Sequence, residues 1–427
     1  MPLSFLKKLL FKHEFTRNLS LLIGTSVVGY GITLLLSPVL TRLYDPTAFG
    51  VLQVFLSWCL LGAGLICARY ETAILIPKDE KTAFSLAVIS FSIAIVLCVF
   101  CVFIVLGLKL FGQDISQVIL LNPYLWFFPP ALLFIGTYQI FSQLAVRNQA
   151  FKEIGKTKIT QSVGQALVQL SLGITQTGAW GLIIGDVVGR FWGIIYLSKK
   201  MIRSYQQEFH KINFSYLRQV AWRYRTFPLV SSWSTLINTG AYIIPNLLFT
   251  DYYGLYFMGL YALSERVFSS PKALIGQSVS QVYNGTASKH LNDPTGLLLL
   301  YRKLAIQLFL LGAIPFLPII VFGESIFGWV FGHEWKMAGY YAQILACMQW
   351  FEFVASPLSQ TLNLLEKQHW QLRWDILRLL LCILSIYIAH SFFDNPFWGI
   401  TAYAISLSLM YGVHIFLCNL AIKRISS

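Results

Sequence analysis

Charge is what this 427-residue chain has least of. Only 12% of its residues are Asp, Glu, Lys or Arg, against 56% that are hydrophobic. A soluble globular domain carries about 25% charged residues. Half that complement leaves too little polar surface to cover a soluble particle of this length. Linkers rich in glycine, serine or proline are missing too, which argues for a single membrane domain. The seven cysteines all fall inside apolar segments, and seven is odd. Cys98 and Cys101 form a C-x-x-C, but within an apolar helix and with no second pair, so they read as packing residues, neither zinc ligands nor a redox pair. The seven histidines form no metal-ligand spacing, and there is no G-x-S-x-G or Walker-type loop. No metal, prosthetic group or enzymatic nucleophile is expected.

Long apolar runs are abundant. A membrane helix needs about 20 mostly apolar residues. Twelve such segments can be placed, at about 18–40, 50–68, 83–108, 119–145, 159–177, 180–198, 228–250, 254–285, 303–323, 337–363, 374–392 and 396–420. The expected fold is an all-α polytopic membrane protein of about 12 transmembrane helices. The first run follows Lys7, Lys8, Lys12 and Arg17 but is too long for a signal peptide, so it reads as an uncleaved span. Residues 1–17 read as an amphipathic basic segment on the cytoplasmic surface. Segment 254–285 holds Glu265, Arg266, Pro271 and Lys272, and is expected to be a broken helix.

Lys and Arg distribution sets the expected orientation. With the N-terminus in the cytoplasm, 26 of the 32 basic residues fall in inside segments and three, Arg42, Lys109 and Lys336, in outside loops. That split implies an even number of spans in a bacterial inner membrane, with both termini cytoplasmic. It also accounts for the net charge of +14 through anionic lipid headgroups, with no nucleic acid. Outside loops are short, so neither face has room for a catalytic domain. The long inside loop 199–227 divides the chain into an N-terminal six-helix bundle, 18–198, and a C-terminal one, 228–427. The halves echo each other: SPVLTRLYDPTAFGVLQVFLS at 37–57 and IPNLLFTDYYGLYFMGLYALS at 244–264 each end a span at a proline, turn at an acid (Asp45, Asp251) and open the next span with a glycine (Gly50, Gly259). Six spans per half suits parallel repeats about an axis along the membrane normal.

From these same residues a family resemblance emerges. SPVLTRLYDPTAFG (37–50) followed by RYETAILIPKDEK (69–81) resembles the start of the polysaccharide-transporter branch of the MOP flippase superfamily, the Wzx-type O-antigen and capsule repeat-unit flippases. The resemblance continues through RNQAFKEIGKTKITQSVGQALVQLSLG (147–173), GLIIGDVVGRFWG (181–193) and GLYFMGLYALSERVFSSPKALIGQSVSQVY (254–283), and covers the first eight spans. It implies two six-helix bundles forming a V around a central cavity. It implies transfer of an undecaprenyl-pyrophosphate-linked oligosaccharide from the cytoplasmic to the periplasmic leaflet by alternating access, with an H+ or Na+ gradient as the candidate driving force. Besides the glycan substrate and the lipid bilayer, a polysaccharide polymerase and a chain-length regulator are the implied partners.

Flipping breaks no bond; it needs a hydrated path and cations for the pyrophosphate, preferably the planar fork of arginine. Charges within spans are costly and are therefore the candidates. Arg42 reads as an outer-gate cation, or more plainly as a snorkelling interfacial residue. Arg69 and Glu71, at the inner end of the second span, read as an inner gate or a topology-fixing bridge. Asp186 and Arg190, four residues apart, share a helix face and can neutralise each other. Glu265, Arg266 and Lys272 flank Pro271 as hinge charges or as wet interfacial ones. Glu352 is the most isolated acid in the sequence. Substrate contacts are expected from Arg42, Arg69, Arg190, Arg266 and Lys272, and ion coupling from Glu71, Asp186, Glu265 and Glu352. Tyr242, Trp233 and Tyr256 could stack on sugars, although aromatic belts are the commoner use.

The alternatives are a MATE-like ion-coupled exporter of drugs or cations, against which the mixed intramembrane charge argues, and a glycan polymerase or glycosyltransferase, against which the short outside loops argue. The orientation is checked by labelling intact cells with an impermeant maleimide: Asn395→Cys is expected to react, and Lys152→Cys only once the membrane is opened. Reaction of both from the same side would overturn the orientation.

Overall fold

The computed structural model describes residues 28–29, 31–111, 120–206, 212–290 and 293–426. The expected amphipathic segment 1–17 and residues 207–211 of the 199–227 linker lie outside the described residues. No strand occurs among the described residues. The helices are α1 (Gly31–Leu43), α2 (Pro46–Ala63), α3 (Tyr70–Ala73), α4 (Glu80–Phe111), α5 (Phe128–Arg147), α6 (Phe151–Ile174), α7 (Ala179–Ser204), α8 (Phe214–Arg223), α9 (Ser232–Ala287), α10 (Pro294–Phe331), α11 (Lys336–Leu358), α12 (Thr361–Leu364), α13 (Gln368–Phe393) and α14 (Pro396–Ser426).

Helix α9 is two limbs merged across a break at Gly254, where φ is 77° and ψ is 177°. Among the described residues, with α9 counted as two at Gly254 and α10 as one across its kink at Phe322, the helices other than the short α3, α8 and α12 number twelve and follow the twelve expected segments in order. Seven helical stretches among the described residues are long and apolar enough to cross a membrane: α2, α4, α5 with its leading 3-10 turn, α7, α10, α13 and α14. The protein is an all-α, multi-pass membrane protein.

Local chemistry explains the helix starts. Pro46 opens α2, and the Asp45 carboxylate accepts the Ala48 N–H at 3.3 Å. Pro294 opens α10 behind Asp293, which accepts the Gly296 N–H at 3.0 Å, and Asn213 caps α8 by accepting the Tyr216 N–H at 2.8 Å. The expected break within 254–285 falls at its first residue, away from Pro271, and the helix then runs unbroken to Ala287. Gly254 takes a positive φ without Cβ strain, whereas Pro271 removes only one backbone donor, a loss that membrane helices accommodate.

Two compact units emerge from the packing: Val51–Ile243 with the chain up to Leu36, and Ser37–Gly50 with Ile244–Ser427. The bundle boundaries expected from span counting, 18–198 and 228–427 around the 199–227 linker, rest on loop length, whereas these units rest on contacts. The linker is itself partly helical, since α8 occupies 214–223.

In the first unit, α6 and α7 approach through a ladder of three rungs. Gln161, Gln165 and Gln169, spaced by four on α6, lie over Gly193, Gly189 and Gly185, spaced by four on α7; a Cβ on these glycines would sit 2.2, 2.8 and 2.3 Å from the glutamine side chains. Gln169 is buried and donates to the Leu182 carbonyl at 3.0 Å. Small residues let the backbones close, and the buried Gln169 amide finds its partner inside the protein.

The second unit closes on a similar but tighter contact. A Cβ on Gly50 would lie 2.0 Å from the Leu255 carbonyl oxygen, and one on Gly259 would lie 1.7 Å from that of Pro46. Gly50 is the fifth residue of α2 and Gly259 the fifth after the Gly254 break. Each glycine faces the carbonyl four residues before the other, a local two-fold relation between the two echoing segments. Around it, the buried Trp335 indole donates to the Thr41 carbonyl at 2.9 Å and meets the Phe49 ring edge-on at 5.0 Å.

Alanine at either glycine is expected to cost about 1–3 kcal/mol by overpacking. Helix propensity alone would make each about 1 kcal/mol more stable. Thermal unfolding of Gly50→Ala and Gly259→Ala in detergent decides the sign; a raised melting temperature in either would contradict the contact.

Candidate functional site

Intramembrane charges can be held only if other protein groups replace the water they lose. Each expected site residue therefore has to be located with its partners.

In the first unit, Arg69 and Glu71 meet. The chain leaves α2 through a run of tight turns and reaches Ala68 and Arg69 in the left-handed region, at φ 47° and 61°. Two consecutive non-glycine residues there store strain that the surroundings must hold in place. Thr72 Oγ1 donates to the Arg69 carbonyl at 2.7 Å, and the Tyr70 hydroxyl donates to the Ala221 carbonyl of α8 at 2.9 Å. Arg147, at the end of α5, clamps the following loop. Its guanidinium donates to the carbonyls of Ile74, Pro77 and Lys78 and to the Glu80 carboxylate. The bent turn brings Arg69 Nη1 to 3.3 Å from Glu71 Oε1, with Glu71 almost wholly buried. The pair is incompletely satisfied, because buried Arg69 Nε and Glu71 Oε2 have no hydrogen-bond partner among the described residues. Burial pushes the Glu71 carboxyl above its ordinary range, against the pull of its own backbone N–H and of Arg69.

Asp186 and Arg190 pair within α7, as their spacing predicts. Arg190 Nε donates to Asp186 Oδ2 at 2.6 Å and Nη2 to Oδ1 at 3.2 Å, a two-pronged contact. The flanking Gly185 and Gly189 let α6 approach the same helix.

In the second unit, four side chains from α9 and α11 form a continuous chain. Lys272 Nζ donates to Glu352 Oε2 at 2.7 Å and also to the Gln349 amide oxygen; Gln349 Nε2 in turn donates to Glu265. Glu352, the most isolated acid in the sequence, is therefore paired, with a lysine 80 residues away. Glu265 and Lys272 share a face of the continuous second limb of α9, and the wholly buried Gln349 bridges them. Sequence reasoning passed over Gln349. The available signal was an amide in an apolar stretch, three residues before Glu352 and so on the same helix face. With both acids ionised and the lysine charged, the cluster carries one surplus negative charge.

Arg266, next to Glu265, points elsewhere. Its guanidinium lies 5.5 Å from the centroid of the Phe49 ring, against the face of the turn that carries Gly50. Arg42 is exposed, and no ion pair among the described residues involves it. Trp233, Tyr242 and Tyr256 are all exposed side chains, as belt residues are. Lys78, Asp79 and Glu80 are exposed too, and Asp79 caps α4 by accepting the Thr82 N–H at 2.7 Å.

The candidate residues thus fall into three clusters, Arg69–Glu71, Asp186–Arg190 and Glu265–Gln349–Lys272–Glu352, with Arg42 apart from them and Arg266 over the Phe49 ring.

Comparison with known proteins bears on the family and the fold. The family described as "Polysaccharide biosynthesis protein" matches residues 39–339. No curated protein matches the chain. Among solved structures, an inward-facing multidrug resistance MATE family transporter of the MOP superfamily superposes with a TM-score of 0.70 at 13% identity, over 94% of this chain and 95% of that one. The lipid II flippase MurJ, in an inward closed conformation, gives 0.67 at 17% identity over 94% and 87%. The MATE transporter VcmN of Vibrio cholerae gives 0.55 at 14% identity over 97% and 96%. At these identities the likeness is one of fold.

The buried network makes its own prediction. Lys272→Met leaves two acids facing an amide, and is expected to destabilise the protein more than the double change Lys272→Met/Glu352→Gln. The coupling between the two sites should be about 0.5–3 kcal/mol, measured by thermal unfolding of the four proteins in detergent. Additive losses would mean that the pair does not interact.

Proposed function

The chain belongs to the polysaccharide biosynthesis protein family, and we propose that it is a flippase carrying an undecaprenyl-pyrophosphate-linked oligosaccharide from the cytoplasmic to the periplasmic leaflet of a bacterial inner membrane. The observation that carries this reading is the Arg69–Glu71 turn, within the span of the family match. A partly exposed guanidinium, on a turn fixed by the Thr72 and Tyr70 hydroxyls, is an anion contact already in place. Its planar fork suits a pyrophosphate.

The work is positional and electrostatic. At the cytoplasmic end Arg69 takes the pyrophosphate in competition with Glu71. Arg190, held by Asp186, offers a second cation deeper in the first unit. In the second unit Arg266 and Lys272 provide cations, and Arg42 one more at the outer end of α1. Alternating access then presents these groups first to one leaflet and then to the other, with no chemical step. The two acids of the Glu265–Gln349–Lys272–Glu352 cluster are the feature that takes up an H+ or Na+, which frees Lys272 for the headgroup and links an ion gradient to the cycle. The product on the far leaflet is a substrate for a polysaccharide polymerase and its chain-length regulator.

Arg69→Ala and Arg266→Ala are each expected to lower surface glycan at least about tenfold while the protein still reaches the membrane in normal amount. Arg69→Lys keeps the charge but loses the fork, and should restore only part of the export. Surface glycan is read by gel and immunoblot, and membrane protein by a C-terminal tag. Normal glycan in both alanine variants would remove these residues from the path. Binding of organic cations but not of polyprenyl pyrophosphates by the purified protein would replace the flippase with a cation exporter.

A further inference from the structure

A cavity of about 580 Å³ opens in the first unit between α2, α4, α5 and the first limb of α9. None of the charged clusters borders it. Its wall includes Trp58, Gly62, Cys101, Val105, Phe128 and Leu132, and the remaining lining side chains are leucine and isoleucine. Among the described residues no charged side chain lines it. Water has no partners there and does not fill such a space. Left empty, a cavity of this size forfeits the dispersion contacts of its lining. Gly62 sets its shape: a Cβ there would meet Leu132 at 2.5 Å, so any larger residue would push Leu132 out of place.

The rim differs from the wall. Leu108 lines the cavity from α4 and Leu125 from the turn before α5, and the residues that follow them, Lys109 and Trp126, meet across the two elements. Lys109 Nζ lies 5.5 Å from the Trp126 ring centroid. Lys109 continues the helix face of Cys101 and Val105, each four residues apart. It is one of only three basic residues that the sequence assigns to outside loops. A hydrocarbon cavity with a single cation at its mouth complements a lipid with an anionic head. The volume, about 580 Å³, lies within the range of small-molecule pockets.

We propose that this cavity seats the isoprenoid chain of a polyprenyl-phosphate lipid, with the phosphate at Lys109; the identity of the lipid rests on the flippase reading above. The tail of the lipid then lies on the hydrocarbon wall of the first unit, with its phosphate at the outer rim once the arginines have released it.

The test uses the full-length protein in nanodiscs and a polyprenyl phosphate carrying a diazirine in its chain. Photolabelling is expected on the peptides that hold residues 101–108 and 125–132. Cys101→Trp, which fills the cavity, should cut the labelling at least about tenfold. Val99→Trp, at an exposed position of the same helix, should leave it unchanged. Lys109→Gln, at the rim, should weaken labelling by the phosphate but not by the uncharged polyprenol, and this keeps the test decisive if Cys101→Trp fails to fold. Labelling confined to other helices, full labelling of Cys101→Trp, or equal competition by phosphatidylglycerol would overturn the proposal. If a polyprenyl-pyrophosphate glycan binds the protein while the cavity stays unlabelled, the tail seat falls and the flippase reading stands. If no polyprenyl phosphate binds anywhere, both fall.

Discussion

The contact between Gly50 and Gly259 is the constraint on which the second unit depends. Two helices meet there backbone to backbone, each glycine under a carbonyl of the other, with no room for a single methyl group. In a bilayer the hydrophobic effect does not pull helices together, since lipid tails are as apolar as leucine. Close packing and satisfied polar groups have to do it. The glycine contact brings the Asp45 turn beside the second limb of α9. That in turn lets Phe49 stand between Trp335 and Arg266, and lets Trp335 reach the Thr41 carbonyl. Residues 37–50, early in the chain, are thereby built into a unit otherwise composed of residues after 243.

The same logic governs the charged side chains. A lone charge in hydrocarbon is costly, and a complementary partner reduces that cost. Asp186 and Arg190 solve the problem within one helix. Lys272 and Glu352 solve it between two, with Gln349 carrying the connection on to Glu265. Arg69 and Glu71 solve it only in part, at a turn whose backbone is strained and whose polar atoms are left over. Of the three clusters this is the one left incompletely satisfied, and Arg147 fixes the loop that follows it.

How much of this was legible beforehand varies from residue to residue. The Asp186–Arg190 pair could be read directly, because a four-residue spacing on a helix has one geometry. Glu265 and Lys272 could be placed on a common face for the same reason. Gln349 went unnoticed because neutral amides raise no alarm in a charge census. Glu352 looked isolated because its partner is distant in sequence. The proline at 271 drew attention that belonged to Gly254, since a proline only loses a bond whereas a glycine can take a backbone turn that other residues resist.

By itself, then, the sequence determined that this is a multi-pass helical protein, how many long helices it has and in what order, and which few charges must be accounted for. Those properties follow from free energies of transfer that add up locally, residue by residue, along each apolar segment. Only the tertiary structure decided which charges neutralise which, that Gly50 lies against Gly259, that Arg266 turns to Phe49, and that a cavity opens between α2, α4 and α5. These depend on which helix faces meet and how closely, a matter of shape between segments far apart in the chain, and no local sum records it.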